Sequence, residues 1–208
     1  MKKVVLFAPV VFLAACAPAT TVKTYVDSTL TKATVTSGGI TVLPLLLSTS
    51  VKDANVPELR RELAKRTGDS VQKYFPQTKI VGYEETLSAL ESENLMDGFT
   101  STANTFDTTG ILKSDTLVKL LAKTNTRYAI LPYLQSASTL ITGAGIYTSR
   151  SFNASFSMVI WDSVKGSVVY EGSGKASQIA SMFKNNNILD TTYEAFDNAG
   201  KKLMSDLK

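Results

Sequence analysis

The sequence predicts an α/β fold, a single domain in which helices pack on a central mixed β-sheet. Three observations predict it. Between residues 40 and 208, runs of β-branched and apolar residues alternate with stretches whose apolar residues recur every three or four positions. Residues 151–160 place Phe152, Ala154, Phe156, Met158 and Ile160 on one face and Ser151, Asn153, Ser155 and Ser157 on the other, the period of a half-covered antiparallel strand. No internal repeat or second boundary interrupts the body, whose length suits one substantial core.

The elements follow in order. Residues 1–15 open with Lys2 and Lys3, continue as an apolar run and close on small residues before Cys16, which is the pattern of a cleaved export signal. The run is shorter than the roughly 20 residues a membrane-spanning helix needs. Residues 16–39, rich in threonine and small side chains and ending at Gly38-Gly39, read as a tether. Extended at about 3.3 Å per residue, it would reach on the order of 70 Å. The Val and Thr content of residues 22–35 supports a first strand as the competing reading.

Residues 40–47 read as a buried strand, opening the domain at 40–208. Asn55, Pro57 and Glu58 make a capping signal for a helix running to about residue 75. Its apolar stripe is Val56, Leu59, Leu63, Val71 and Tyr74, and Glu62–Arg66 is a favourable pair four residues apart. A short strand at 79–83 and a helix at 84–95 follow. The polar stretch 97–110 reads as an exposed loop. Ser114 caps a helix carrying Leu117, Val118, Leu120 and Leu121. Residues 127–134 are an apolar strand in which Pro132 argues for an edge, a bulge or a strand end. The turn at 162–166 joins the alternating strand to a strand at 167–171. Residues 189–207 form a last helix, with Asp190 and Glu194 early and Lys201 and Lys202 late, as the helix dipole favours.

Composition excludes several chemistries. Cys16 is the only cysteine and there is no histidine, so a disulfide within this chain, most zinc, copper and haem ligand sets, and Cys–His or Ser–His–Asp catalysis are out of reach. The formal charge of +4 falls to about +2 once Lys2 and Lys3 leave with the signal, which gives no reason to expect a nucleic-acid partner. No catalytic residue, cofactor-binding residue or metal ligand is assigned. Ser70-Val71-Gln72-Lys73 matches a Ser-x-x-Lys nucleophile motif, but Ser70 falls late in its helix and on the packed stripe, where a small residue lets a helix approach a sheet. Gly143-Ala144-Gly145 lacks the third glycine and the helix of a dinucleotide site and reads as a turn. Glu84, Glu85, Glu91 and Glu93 have no calcium-loop pattern around them and read as a solvated helix face. Trp161 reads as core. Tyr147 is a candidate partner anchor.

Leu13-Ala14-Ala15-Cys16 resembles the lipobox of bacterial lipoproteins. That resemblance implies a diacylglyceryl thioether on Cys16, cleavage before it and acylation of the new amino terminus. Ala17, where an aspartate favours inner-membrane retention, implies an outer-membrane destination. Ile40-Thr41-Val42-Leu43-Pro44, the apolar strand at 127–134, and the hairpin of Trp161 with the Asp162–Gly166 turn resemble a group of envelope lipoproteins. The group includes the curli secretion channel lipoprotein, the lipoprotein activators of penicillin-binding proteins and the amino-terminal domain of the Tol-system propeller protein.

The resemblance implies a periplasm-facing outer-membrane lipoprotein, anchored to the membrane at Cys16. It would act without catalysis as a protein-binding accessory or assembly factor of an envelope complex, with a homo-oligomer left open. A subunit of a curli-type secretion channel is the alternative. It requires hairpins with two strands of about 9–11 membrane-crossing residues, and only residues 134–152 could hold one. A cell-wall hydrolase is a third reading, and it lacks an identifiable acid/base pair.

Overall fold

Seven strands in one mixed sheet, with helices on both of its faces, make up the computed structural model, which describes residues 24–51, 56–112, 114–143, 148–180 and 187–207. In chain order the elements are β1 (Thr24–Val26), α1 (Lys32–Gly38), β2 (Ile40–Val42), β3 (Leu46–Leu47), α2 (Val56–Tyr74), β4 (Ile80–Val81) and α3 (Tyr83–Ser92). There follow α4 (Met96–Thr109), α5 (Ser114–Thr124), β5 (Tyr128–Thr142), β6 (Ser149–Asp162), β7 (Ser167–Ile179) and α6 (Ile188–Asp206). The strand order is β1-β7-β6-β5-β2-β4, with β3 also beside β5. Pairing is antiparallel from β1 to β5 and parallel among β5, β2, β3 and β4. This is the α/β class and mixed sheet that the alternating patterns predict. The export signal, Cys16, Asn55, Ala144, Gly145 and Tyr147 lie outside the described residues.

Two apolar clusters sandwich the sheet. On one face Val35, Leu59, Leu63, Ala195, Phe196 and Leu203 from α1, α2 and α6, with Phe75 just after α2, meet Phe156, Met158 and Ile160. On the other, Leu90, Phe99, Phe106, Leu117, Leu120 and Leu121 from α3, α4 and α5 meet Leu131, Val159 and Trp161. The inner half of β6 is therefore buried on both faces, and the one-sided alternation describes only its outer half. Across the first face, Tyr193 on α6 donates to Glu62 on α2 while Arg66 lies 3.9 Å over the Tyr193 ring. Arg66 also makes the foreseen pair with Glu62 at 3.2 Å.

Three sequence readings are corrected. Residues 24–39 are not tether: β1 pairs with β7, and α1 starts at Thr31, whose side chain accepts from the Thr34 amide in a capping box. Leu30 and Val35 are buried in the core. Gly38-Gly39 is the joint that delivers the chain to β2. A Cβ on Gly38 would lie 2.7 Å from the Tyr128 ring, and Gly39 has φ +70°.

Residues 97–110 are not a loop but most of α4. Phe99, Thr102, Ala103 and Phe106 recur at helical spacing and are buried. Its hydroxyls return to the helix's own carbonyls, as Thr100 to Met96 at 3.0 Å and Thr105 to Ser101 at 2.8 Å. Low intrinsic propensity concealed a helix that burial of one face enforces.

Pro132 sits inside the sheet. Leu43 and Ser48 donate their amides to the carbonyls of Ile130 and Leu134, so by two-residue alternation the Pro132 nitrogen points the same way. There it faces the break between β2 and β3, and no ladder bond is lost.

Candidate functional site

β5, β6 and β7 run together well past the parallel part of the sheet. One face of this three-stranded ribbon is sheathed by α6. Phe196 meets Phe156 edge-on at 5.2 Å, and Gln178 donates to Glu194 at 2.6 Å. Gly174 permits the approach, since a Cβ there would lie 2.3 Å from the Ala195 carbonyl oxygen and the Ala199 amide nitrogen.

Among the described residues, no helix covers the opposite face beyond Tyr133. A register shift between Leu134 and Ser136 resets β5, after which cross-strand partners form rows: Ser136, Ser155 and Lys175; Ser138, Asn153 and Ser177; Leu140, Ser151 and Ile179. Ser155 donates to the Gln135 side chain at 2.8 Å and Ser177 to Asn153 at 2.8 Å. These bonds run sideways and leave a flat polar surface with an apolar outer end.

The inner border of the open face is a fixed polar tie. Tyr133 donates to Asp107 at 2.6 Å and meets Phe106 edge-on at 5.5 Å. Burial and the neighbouring Asp107 push the Tyr133 hydroxyl up to about 12. Burial opposes ionisation of Asp107, but the hydrogen bonds from Tyr133, Ser48 and Thr49 together outweigh it and hold the carboxyl below its usual value. At neutral pH both groups keep their charge states, which suits a structural bond and not proton transfer. Behind this pair Ser157 and Ser173 share a buried hydrogen bond at 2.7 Å.

A groove of about 620 Å³ lies at the other end of the sheet, lined by Lys79, Val118, Asn125, Arg127 and Val164 among others. Its cations are committed to the protein. Arg127 makes two bonds to Asp162, at 2.9 and 2.7 Å, and Lys79 donates to the Thr124 carbonyl at 2.8 Å.

The residues singled out in the sequence are scattered. Ser70 is partly buried within α2, well after its start, and Lys73 is exposed. Glu84, Glu85 and Glu91 are exposed, and Glu93 pairs with Lys123 at 2.6 Å. Trp161 is fully buried in the core, as its place in the sequence suggests. Gly143, with φ +90°, follows the end of β5. Among the described residues no three acidic, histidine or cysteine side chains gather where they could hold a metal ion, and no helix is long and apolar enough to cross a membrane. The residues that sequence reasoning passed over are Leu140, Ile141 and Ile179, which lie on two strands that the register brings to the same end of the ribbon.

No protein-family model and no curated protein matches this chain. Among solved structures it is similar to a variant of the PelC dodecamer from Paraburkholderia phytofirmans, at 11% identity over 88% of this chain and 95% of that one, with a TM-score of 0.46. It is similar to hypothetical protein CT253 from Chlamydia trachomatis, at 15% identity over 80% and 96% of the two chains, with a TM-score of 0.48. Lipoprotein GNA1162 from Neisseria meningitidis matches at 14% identity over 73% and 89%, with a TM-score of 0.43. At these values the likeness concerns the path of the chain, and function is argued from this chain's own residues.

Proposed function

We propose that the protein is exported by residues 1–15, acylated at Cys16 and held at the periplasmic side of the outer membrane, where its domain acts without catalysis as a protein-binding accessory or assembly factor of an envelope complex. The bare polar face of the β5–β6–β7 ribbon carries this reading. Its hydroxyls and amides are spread flat and bonded to one another, and among the described residues they offer a small substrate no cleft and no activated nucleophile but offer a protein a docking area.

Three strands about 4.8 Å apart and seven residues long present roughly 330 Å². A standard interface buries about 800 Å² a side, so a partner seated here must continue onto neighbouring surface.

A photo-reactive amino acid at Ser138 or Asn153 in intact cells tests the reading, with Glu84 on the far helix face as the comparison position. The expected outcome is a discrete adduct of this chain with one envelope protein from 138 and 153 and none from 84. The native complex, extracted in gentle detergent, should be small and contain both chains. A large ring made of this chain alone would replace the accessory role with the secretion-channel reading. The ribbon beyond α6 gives that reading little support: Ala137 and Ala154 are still buried, leaving about five residues a strand where about 9–11 are required.

A further inference from the structure

We propose that the outer end of the ribbon is a second membrane contact, which seats on the lipid surface beside the acyl chains of Cys16 and sets the orientation of the domain. The inference rests on acylation at Cys16, as proposed above.

Strand direction and chain length point to it together. β1 is antiparallel to β7, with Thr24 opposite Gly172 and Val26 opposite Tyr170. Followed backwards, the chain therefore enters Thr24 from the side of the higher-numbered β7 residues, which is the side of the ribbon's outer end. From Gly172 to Ile179 the ribbon advances seven residues, about 23 Å. From Thr24 back to Cys16 is eight residues, at most about 29 Å. The reach exceeds the advance, so an anchor at Cys16 lets the lipid surface lie at the level of Leu140, Ile141 and Ile179.

The chemistry of that end suits a lipid surface. Leu140, Ile141 and Ile179 are 55%, 57% and 63% exposed. Leu140 and Ile141 are consecutive in a strand and so point to opposite faces. Their joint exposure means that the end projects beyond α6 on one side and beyond the helices on the other. Insertion end-on into a lipid surface covers both faces at once. Arg150, opposite Ile141 in the register, is exposed and has a long aliphatic stem that can lie along the apolar end with its charge among headgroups. The hydroxyls of Thr142, Ser149 and Ser151 restrict the seat to the interfacial layer, since backbone and hydroxyl groups bonded to water are too costly in hydrocarbon. An acylated cysteine retains the protein by itself, so the ribbon end contributes orientation more than retention.

The test uses the full acylated protein in vesicles of phosphatidylethanolamine and phosphatidylglycerol. Acylation occupies the one native thiol, so Ile141→Cys, Ile179→Cys and Val164→Cys can each carry a single environment-sensitive fluorophore. Val164 is 75% exposed at the opposite end of the sheet, beside the groove. The expected result is blue-shifted emission at 141 and 179 and at least threefold stronger quenching by a nitroxide-bearing lipid than at 164. Equal quenching at all three positions, or shielding at 164 alone, overturns the proposal. The mass of the same preparation reads acylation separately. An acylated protein with an unshielded ribbon end sinks only this inference, whereas an unmodified Cys16 sinks the anchor and this inference together.

Discussion

Asp162 joins two ends of the fold through one carboxylate. Its side chain is 2% exposed, accepts two bonds from Arg127 and takes the Val164 amide at 2.9 Å, so it closes the β6–β7 turn and fastens the start of β5. Burial favours the neutral acid, but Arg127 and the Val164 amide outweigh it and hold the carboxyl below its usual value. Because the folded value lies below the unfolded one, the stabilisation is complete above the ordinary aspartate range near pH 4 and is lost as pH falls below it. Asp162→Asn should therefore cost about 2–3 kcal/mol at pH 7, measured by urea unfolding, and the gap to the native protein should narrow at pH 3. A constant gap would mean that the charge is not what stabilises the turn. The turn itself was legible, since Asp and Gly at 162 and 166 demand it. Arg127 was not, because nothing local in a sequence marks a partner 35 residues away.

Elements with their own period are legible in the sequence, and elements made by a distant partner are not. α2 and α6 announce themselves through apolar stripes and end charges, and β6 through its alternation. β1 exists because β7, far along the chain, offers it an edge, and α4 exists because Phe99 and Phe106 find a core. In α4 local hydroxyl-rich composition argued for a loop, and burial prevailed. The amino-terminal correction is measurable. Leu30 is 5% exposed within the core, so Leu30→Ala should lower stability by about 2–4 kcal/mol by denaturant unfolding. A chain in which residues 16–39 were tether would show no change. Deleting residues 20–36 would likewise remove β1, Leu30 and the Thr31 cap, so a loss of function there would report on folding and not on reach.

For the whole molecule, the position of β1 sets how the domain would stand on the membrane proposed above. A tether of residues 16–39 would have held the domain on the order of 70 Å away, free to turn. With β1 starting at Thr24, residues 17–23 lie between the proposed anchor and β1, a link of at most about 29 Å. Neither this distance nor the ribbon end could be read from the sequence, because both depend on strand register: Leu140, Ser151 and Ile179 form one row only once three strands are aligned. The class of fold needed no register and was visible. The short link makes orientation depend on its length. Inserting about twelve flexible Gly and Ser residues between Lys23 and Thr24, a coil of roughly 17–21 Å mean span by itself, lengthens the link and dilutes the ribbon end at the surface. In the acylated protein, lipid quenching at a fluorophore on Ile141→Cys should then fall towards the value at Val164→Cys, while flotation with vesicles stays unchanged because Cys16 still anchors. If quenching at 141 survives the spacer intact, the ribbon end holds to lipid by its own affinity, and the short reach of the link is not what positions the domain.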